Sequence, residues 1–212
     1  MMRRMGAGPG RPPGVDIDLL TRRWMTLWPD CRPVGHELRA CAPGRWVRFH
    51  SLPGSKRYPQ SEAEYGELLR RHHAVLADLC AGAGAGGADE LLVLSTAWSG
   101  SEEPAGRDPG LAALLPDAVY WTAVPGEPDG DGFGYWTHVH ASLAPWRKGE
   151  LRPLLRHVAD DRTRDVILTS PDLNWLYHPY SGGADVIAAS ARERDILRER
   201  YPQWLSSHTT GL

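Results

Sequence analysis

Apolar residues recur at the spacing of an α-helix in four parts of the chain. Asp16 is placed to cap the first of these helices, and Pro29 to end it. Ser61 and Glu64 form the Ser-x-x-Glu pattern of a capping box at the start of the second. Helices are therefore predicted over 17–27, 61–80, 149–159 and 190–201.

Other apolar stretches alternate with polar residues or form short continuous runs, and these patterns predict strands. The predicted strands are 46–50, 91–96, 118–124, 135–143, 166–169, 175–178 and 184–188. In a protein with a parallel sheet, strands and helices alternate regularly along the chain, and this sequence lacks that alternation. We therefore expect an α+β fold with a mainly antiparallel or mixed sheet and helices packed on it. A single domain is predicted over 15–212, after a flexible Gly/Pro/Arg-rich leader over 1–14.

The composition is that of an ordinary globular protein, with 212 residues, 42% of them hydrophobic and 24% charged, and a net charge of −2. This balance offers no basic field for nucleic acid or a membrane surface. The leader lacks the apolar core of a signal peptide, and no apolar run is long enough to span a membrane. We expect a cytoplasmic protein without a cofactor and without nucleic acid or membrane partners.

Two residue types leave alternatives open. Cys31, Cys41 and Cys80 fit no zinc motif, and buried free thiols are favoured over a disulfide between the first two.

The chain has nine Trp and only two Phe, which indicates either a GC-rich genome or a binding surface. Under the second interpretation, Trp98 and Trp146 could line a groove, since both lie in predicted loops.

The stretch 48–58 combines a strand with a basic loop. Arg48 and His50 share one face of the strand, and Lys56, Arg57 and Tyr58 follow in a Pro/Gly loop before a helix. Cationic side chains and free backbone N–H groups suit an anion, so all five residues are ligand-binding candidates. The alternative is an ordinary basic loop that pairs with the acids of the chain itself.

His138 and His140 lie two residues apart on a predicted strand and therefore share a face. This spacing occurs in metal sites, and His50, His178 or Asp185 could supply a third ligand if the strands are neighbours. Structural or surface histidines are the favoured alternative, so no metal site is expected.

The segment 175–186 is dense in aromatic and polar residues around a Gly-Gly turn, a pattern of two strands joined by a tight turn. His178 and Tyr180 are ligand-binding candidates, and His178, Asp185 and His50 are candidates for acid–base catalysis. The alternative is a structural hairpin in which Asp185 bonds to turn amides. If this segment meets 48–59 in space, the two form one site.

Two motifs carry a resemblance: Arg-Phe-His-Ser-Leu-Pro-x-Ser-Lys-Arg-Tyr-Pro at 48–59 and Leu-Tyr-His-Pro-Tyr-x-Gly-Gly-Ala-Asp-Val at 176–186. They resemble a group of uncharacterised actinobacterial proteins, similar to a bacterial domain of unknown function. The closing residues 204–208 fit the same group, and the resemblance runs from about Trp24. It implies no known reaction. Ser181 stands where that pattern has Asp, which puts carboxylate chemistry at this position in doubt.

The leading functional hypothesis is a non-catalytic binding protein of immunity or accessory type. It depends on the lack of a convincing catalytic set, a Trp-rich surface, and flexible acidic and Gly-rich loops. The immunity role is an analogy of fold, because small α+β domains are common among toxin-neutralising immunity proteins. Its protein partner would contact 98–110, 126–136 and 176–185. The alternative is a small metabolic enzyme that binds an anionic substrate through 48–58. His50, His138, His140 or His178 would then be acid, base or metal ligand. A second alternative is a small-ligand sensor.

Overall fold

One antiparallel sheet organises the chain. The structure, a computed structural model, describes residues 14–82, 89–126 and 134–206. Its strands are β1 Trp46–His50, β2 Glu90–Ser99, β3 Val119–Pro125, β4 Trp136–Pro145, β5 Ile167–Thr169, β6 Leu176–Tyr180 and β7 Gly183–Ile187. Their order across the sheet is β1-β7-β6-β5-β2-β4-β3. With the helices packed on it, this sheet makes a single α+β domain, which confirms the predicted fold class.

The helices are α1 Ile17–Leu27, α2 Leu38–Cys41, α3 Glu62–Gly82, α4 Pro109–Leu114, α5 Arg152–Ala159 and α6 Ala191–Arg200. The carboxylate of Asp16 caps α1 by accepting the N–H of Leu19 at 2.9 Å. Strand β2 extends to Ser99, beyond the predicted strand over 91–96, and α4, which begins at Pro109, was not predicted. Asp108 caps α4 by accepting the N–H of Leu111.

Helices cover both faces of the sheet. On one face, α3, α4, α5 and α6 pack on an apolar cluster that includes Val47, Phe49, Leu68, Leu76, Val93, Leu111, Leu155, Leu168, Val186 and Leu197. On the other face, α1 and the chain over 28–42 pack on Leu92, Leu94, Ile167, Leu176 and Ile187. The same strands therefore serve two cores, because alternate side chains of each strand point to opposite faces.

The face under α1 is apolar along only part of its strands. Residues two positions apart share this face, and the side chains change from apolar to polar along three neighbouring strands: Trp46 to Arg48, Leu176 to His178 and Tyr180, and Ile187 to Asp185. The chain over 28–42 and α1 cover the apolar part. The polar part is left as the floor of a cleft.

Cys31 and Cys41 form a disulfide, so the prediction of free thiols at these positions is wrong. The chain folds back between them, and their Cα atoms are 5.2 Å apart, within the range that a disulfide bridges. Cys80 is a free, half-buried thiol on α3, and burial raises its pKa to about 11. The disulfide therefore closes the segment that enters the cleft.

Three predictions fall largely on residues outside the described ranges: the leader over 1–14, most of the loop over 126–136 and the end of the 204–208 motif. Among the helices that are described, none has the length and apolarity to cross a membrane.

Candidate functional site

The cleft has a volume of about 750 Å³ and gathers residues from both sequence motifs. Strand β1 pairs with β7 so that Arg48 lies opposite Asp185, and β6 pairs with β7 so that His178 lies opposite Asp185. The stretches 48–59 and 175–186 therefore meet in space. The lining residues are His36, Arg39, Arg48, Arg57, Trp98, Tyr135, Asp161, Thr163, Arg164, Asp165, His178, Tyr180, Ser181 and Asp185.

Arg48 and Asp185 form a bidentate ion pair on the floor of the cleft. The guanidinium Nε donates to Oδ1 at 2.7 Å, and Nη2 donates to Oδ2 at 2.8 Å. The carboxylate is buried, and its hydrogen bonds raise the pKa of Arg48. The ring of Tyr180 lies 5.4 Å from the same guanidinium. Arg48 is therefore neutralised within the protein and positions its neighbours.

Arg39 and Arg57 differ from Arg48 in their partners. Nε of Arg57 donates to Oγ of Ser181 at 3.0 Å, and its guanidinium lies 5.2 Å from the ring of Tyr58. Within the described residues, neither Arg39 nor Arg57 has a carboxylate at ion-pair distance. The cleft therefore presents two guanidinium groups whose charge is not compensated by a paired acid.

His36 is held by Asp165 at the edge of the cleft. Oδ1 of Asp165 accepts from the backbone N of His36 at 2.9 Å and from its ring Nδ1 at 2.8 Å. Burial opposes ionisation of Asp165, but the hydrogen bonds of His36 outweigh it and lower the carboxyl pKa. The same contact raises the pKa of His36. Asp165 has a φ of 54°, a left-handed conformation that Asp adopts more readily than most residues.

His178 lies deeper in the same cleft. Its Nδ1 donates to the carbonyl of Val166 at 2.9 Å, so the neutral ring keeps Nε2 as an acceptor. Burial lowers the pKa of His178 and favours this neutral form. The backbone of Gly35 lies directly on the ring, and a Cβ at that position would be 2.4 Å from Nδ1. His36, the residue after Gly35, lines the same cleft as His178.

Two aromatic side chains at the cleft are open to solvent. Trp98 is 44% exposed and Tyr135 is 36% exposed. Trp98 is the penultimate residue of β2, and Tyr135 directly precedes β4. An exposed Trp and Tyr beside unpaired arginines form a surface suited to a ligand with both a ring and an anionic group.

The model of a family described as a domain of unknown function (DUF3885) matches residues 34–209. The chain belongs to this family. No curated protein and no solved structure matches the chain. The lining residues run from His36 to Asp185, so the whole cleft lies inside the DUF3885 domain. Helix α1 precedes the match but packs on the same face of the sheet.

The DUF3885 cleft contains five of the ligand-binding and catalytic candidates, Arg48, Arg57, His178, Tyr180 and Asp185, together with the groove candidate Trp98. Three other candidates from the first motif point elsewhere.

The ammonium group of Lys56 pairs with the carboxylate of Glu64 at 2.6 Å, and Tyr58 is exposed against Arg57. His50 lies in a separate small cavity beside Arg71, where burial lowers its pKa.

His138 and His140 lie on the opposite face from the cleft, because Val139 between them packs under α1. Nε2 of His138 is 2.8 Å from Oγ of Ser99, and Tyr120 packs on both rings. The described residues bring together no group of three or more His, Cys, Asp or Glu suited to a metal ion. His178 and Asp185, proposed as third ligands, line the cleft instead.

His36, Arg39 and Asp165 are cleft residues that the sequence interpretation missed. The cysteines at 31 and 41 flank the first two, and Asp165 closes a charged run over 160–165 between a helix and a buried strand. These signals were visible, but nothing local showed that the two segments meet. Trp146, the other groove candidate, is buried in the core under α3 and α5.

Proposed function

We propose that the chain binds a small anionic ligand in the cleft between α2 and strands β1, β6 and β7. One observation supports this most directly: Arg39 and Arg57 line the cleft without a carboxylate partner among the described residues, whereas Asp165 and Asp185 are each paired with a basic side chain. Uncompensated guanidinium groups in a concave site are best satisfied by a bound anion.

The lining residues narrow the chemistry of that ligand. Four arginines and three aspartates line the cleft, and the planar guanidinium fork matches the oxygens of phosphate or carboxylate. Trp98 and Tyr135 add two ring faces. The volume of about 750 Å³ lies within the range typical of small-molecule sites. A phosphorylated or carboxylated molecule with a flat ring fits these features best.

The test is calorimetric titration of the full chain with inorganic phosphate, pyrophosphate, nucleoside monophosphates and aromatic carboxylates. The double variant Arg39→Gln/Arg57→Gln removes both free cations, and Arg198→Gln on α6 is an exposed arginine outside the cleft. We expect binding that weakens with salt, at least about tenfold loss in the double variant and no change in the control. Absence of binding by every anion would overturn the proposal, and so would an equal effect of both variants.

A second candidate is the binding protein of immunity or accessory type. The exposure of Trp98 and Tyr135 favours it, because aromatic residues are common anchors of protein interfaces. The partner would present an acidic segment to Arg39 and Arg57. We place this function in the cytoplasm of an actinobacterium. Pull-down with the products of neighbouring genes tests it, with Trp98→Ala expected to abolish capture and Arg198→Gln to retain it. Failure to capture any of those products would count against this candidate.

A further inference from the structure

Two histidines of the cleft are each oriented through Nδ1. The Nδ1–H of His36 donates to the carboxylate of Asp165, and the Nδ1–H of His178 donates to the carbonyl of Val166. Each ring therefore has its Nε2 available for a ligand. Both rings line the same cleft, and the backbone of Gly35, one residue before His36, lies on the imidazole of His178.

The surroundings of the two rings favour opposite protonation states. The hydrogen bond and charge of Asp165 raise the pKa of His36, and the charge of Glu37 acts in the same direction. Burial and the charge of Arg32 oppose this rise but do not cancel it. Burial lowers the pKa of His178, and the charge of His36 also lowers it. The carboxylates of Asp165 and Asp185 raise this pKa, but burial outweighs them. The contact with Asp165 thus favours the protonated form of His36, and burial favours the neutral form of His178, as an acid and a base require.

The exposure of the two partners argues against a purely structural pair. The side chain of Asp165 is 7% exposed, whereas that of His36 is 56% exposed. Burying a carboxylate has a free-energy cost, and packing of a half-exposed ring returns little of it. Asp165 also adopts a left-handed φ, as does Asp161, another residue of the cleft.

We propose that His36 and His178 form a general acid–base pair that hydrolyses a small phosphodiester held by Arg39 and Arg57. This inference rests on the proposed anion-binding cleft and adds a reaction to it. A phosphodiester carries one negative charge and two non-bridging oxygens, which the two guanidinium groups can contact. Trp98 and Tyr135 would contact a ring attached to the ester.

The nucleophile in this scheme is water. Ser181 is the serine of the cleft, but it is buried and its Oγ already accepts from Arg57. Nε2 of His178 removes a proton as the water oxygen bonds to phosphorus. The bond from phosphorus to the leaving oxygen breaks, and Nε2–H of His36 donates its proton to that oxygen. The products are a phosphomonoester and an alcohol, and proton exchange with solvent restores both rings.

Two substrates separate the roles of the histidines in the full chain. Adenosine 2′,3′-cyclic phosphate has an alkoxide leaving group that needs a proton, whereas bis(4-nitrophenyl) phosphate releases a stable phenolate. We expect His36→Gln to lower the rate by at least about 100-fold on the cyclic phosphate and much less on the nitrophenyl ester. His178→Asn should lower both rates by a similar factor. His73→Gln, an exposed histidine of α3, is the control and should change neither.

The pH profile gives a second readout that a structural role would not change. The wild-type rate should be bell-shaped, and His36→Gln should lose the alkaline limb on the cyclic phosphate. Should His178→Asn fail to fold, the His36 results and this profile still decide the question. An equal loss on both substrates in His36→Gln would overturn its role as acid.

Calorimetry with adenosine monophosphate separates the two proposals. Binding that depends on Arg39 and Arg57, with no turnover of either ester, would overturn the acid–base pair and leave the anion cleft intact. Absence of both binding and turnover would overturn both. Turnover that survives in His36→Gln and His178→Asn at the wild-type rate would show that other groups are responsible.

Discussion

Oδ1 of Asp165 accepts two hydrogen bonds from His36, one from the backbone N and one from the ring Nδ1, across 129 positions of sequence. The first contact fixes the backbone of the disulfide-closed segment, and the second fixes the orientation of the ring. One buried oxygen therefore controls both where His36 lies and which of its nitrogens is free. The same oxygen raises the pKa of His36.

Replacing Asp165 by Asn should lower the pKa of His36. Asn tolerates the left-handed φ at this position but lacks the charge that favours the protonated ring. The pKa is measured by NMR titration of the ring signals. Asp161→Asn is the matched control, because Asp161 has a similar φ and lines the same cleft. An unchanged pKa of His36 in Asp165→Asn would contradict the assignment.

The same pair gives a pH dependence of stability. The pKa of His36 is raised, so its contribution is complete below about pH 6.5 and is lost as pH rises through the folded value. The pKa of Asp165 is lowered, so its contribution is present above about pH 3.9 and is lost as pH falls through the folded value. Urea denaturation should show the wild type exceeding Asp165→Asn most between these limits. A difference independent of pH would argue against the ion pair.

Gly35→Ala should destabilise the protein and disturb the cleft together. The new Cβ would lie 2.4 Å from Nδ1 of His178, and the ring is fixed by its bond to Val166. Overpacking of this kind costs roughly 1–3 kcal/mol. Gly44→Ala is the control, since nothing lies within 4 Å of a Cβ there. Denaturation with urea measures both variants, and equal stability of the two would contradict the contact.

Replacing Arg48 alone should destabilise the protein more than replacing Arg48 and Asp185 together. Arg48→Met leaves the buried carboxylate of Asp185 unpaired, at a cost of about 3–5 kcal/mol. In Arg48→Met/Asp185→Leu no buried charge remains, so much of the free energy of unfolding should return. The measurement is a double-mutant cycle by urea denaturation. Additive losses in the double variant would show that the pair contributes no coupling.

Acidification should destabilise the protein through a histidine outside the cleft. His72 is fully buried, 3.1 Å from Oγ of Ser51 and 2.5 Å from the hydroxyl of Tyr177, and burial lowers its pKa to about 4. The unfolded chain therefore binds the proton more readily. Stability should fall by about 3 kcal/mol between pH 6.5 and pH 4 from this group. His72→Gln should flatten that slope, and His73→Gln should leave it unchanged.

Most of the fold was predictable because its signals are local. The cap at Asp16 and the helical spacing after it place α1 within the predicted bounds. Ser61 caps α3 as expected, although the carboxylate of Glu64 accepts the N–H of Gln60 instead of that of Ser61. Helix α4 was missed, although Asp108 followed by a proline at 109 is a helix-start signal. Its six residues are too few for a clear periodicity.

The cleft was only partly predictable, because its residues are united by contacts between distant segments. Arg48 and Asp185 lie in motifs recognisable in the sequence, and strand pairing places them opposite each other. His36 and Asp165 lie in short segments without periodicity, and only the folded chain brings them together. Lys56 was a candidate for binding an anionic ligand, but its ammonium group pairs with the carboxylate of Glu64 instead.

The disulfide between Cys31 and Cys41 closes the segment that carries His36 and Arg39. Once the bond is reduced, the segment gains conformational freedom. Binding of a ligand to the segment then includes the entropic cost of ordering the segment, which weakens the affinity. Such bonds are rare in reducing compartments except where they form and break in use. Under the proposed anion binding, the affinity of the cleft would therefore follow the thiol–disulfide balance of its surroundings, with no change in the residues that touch the ligand.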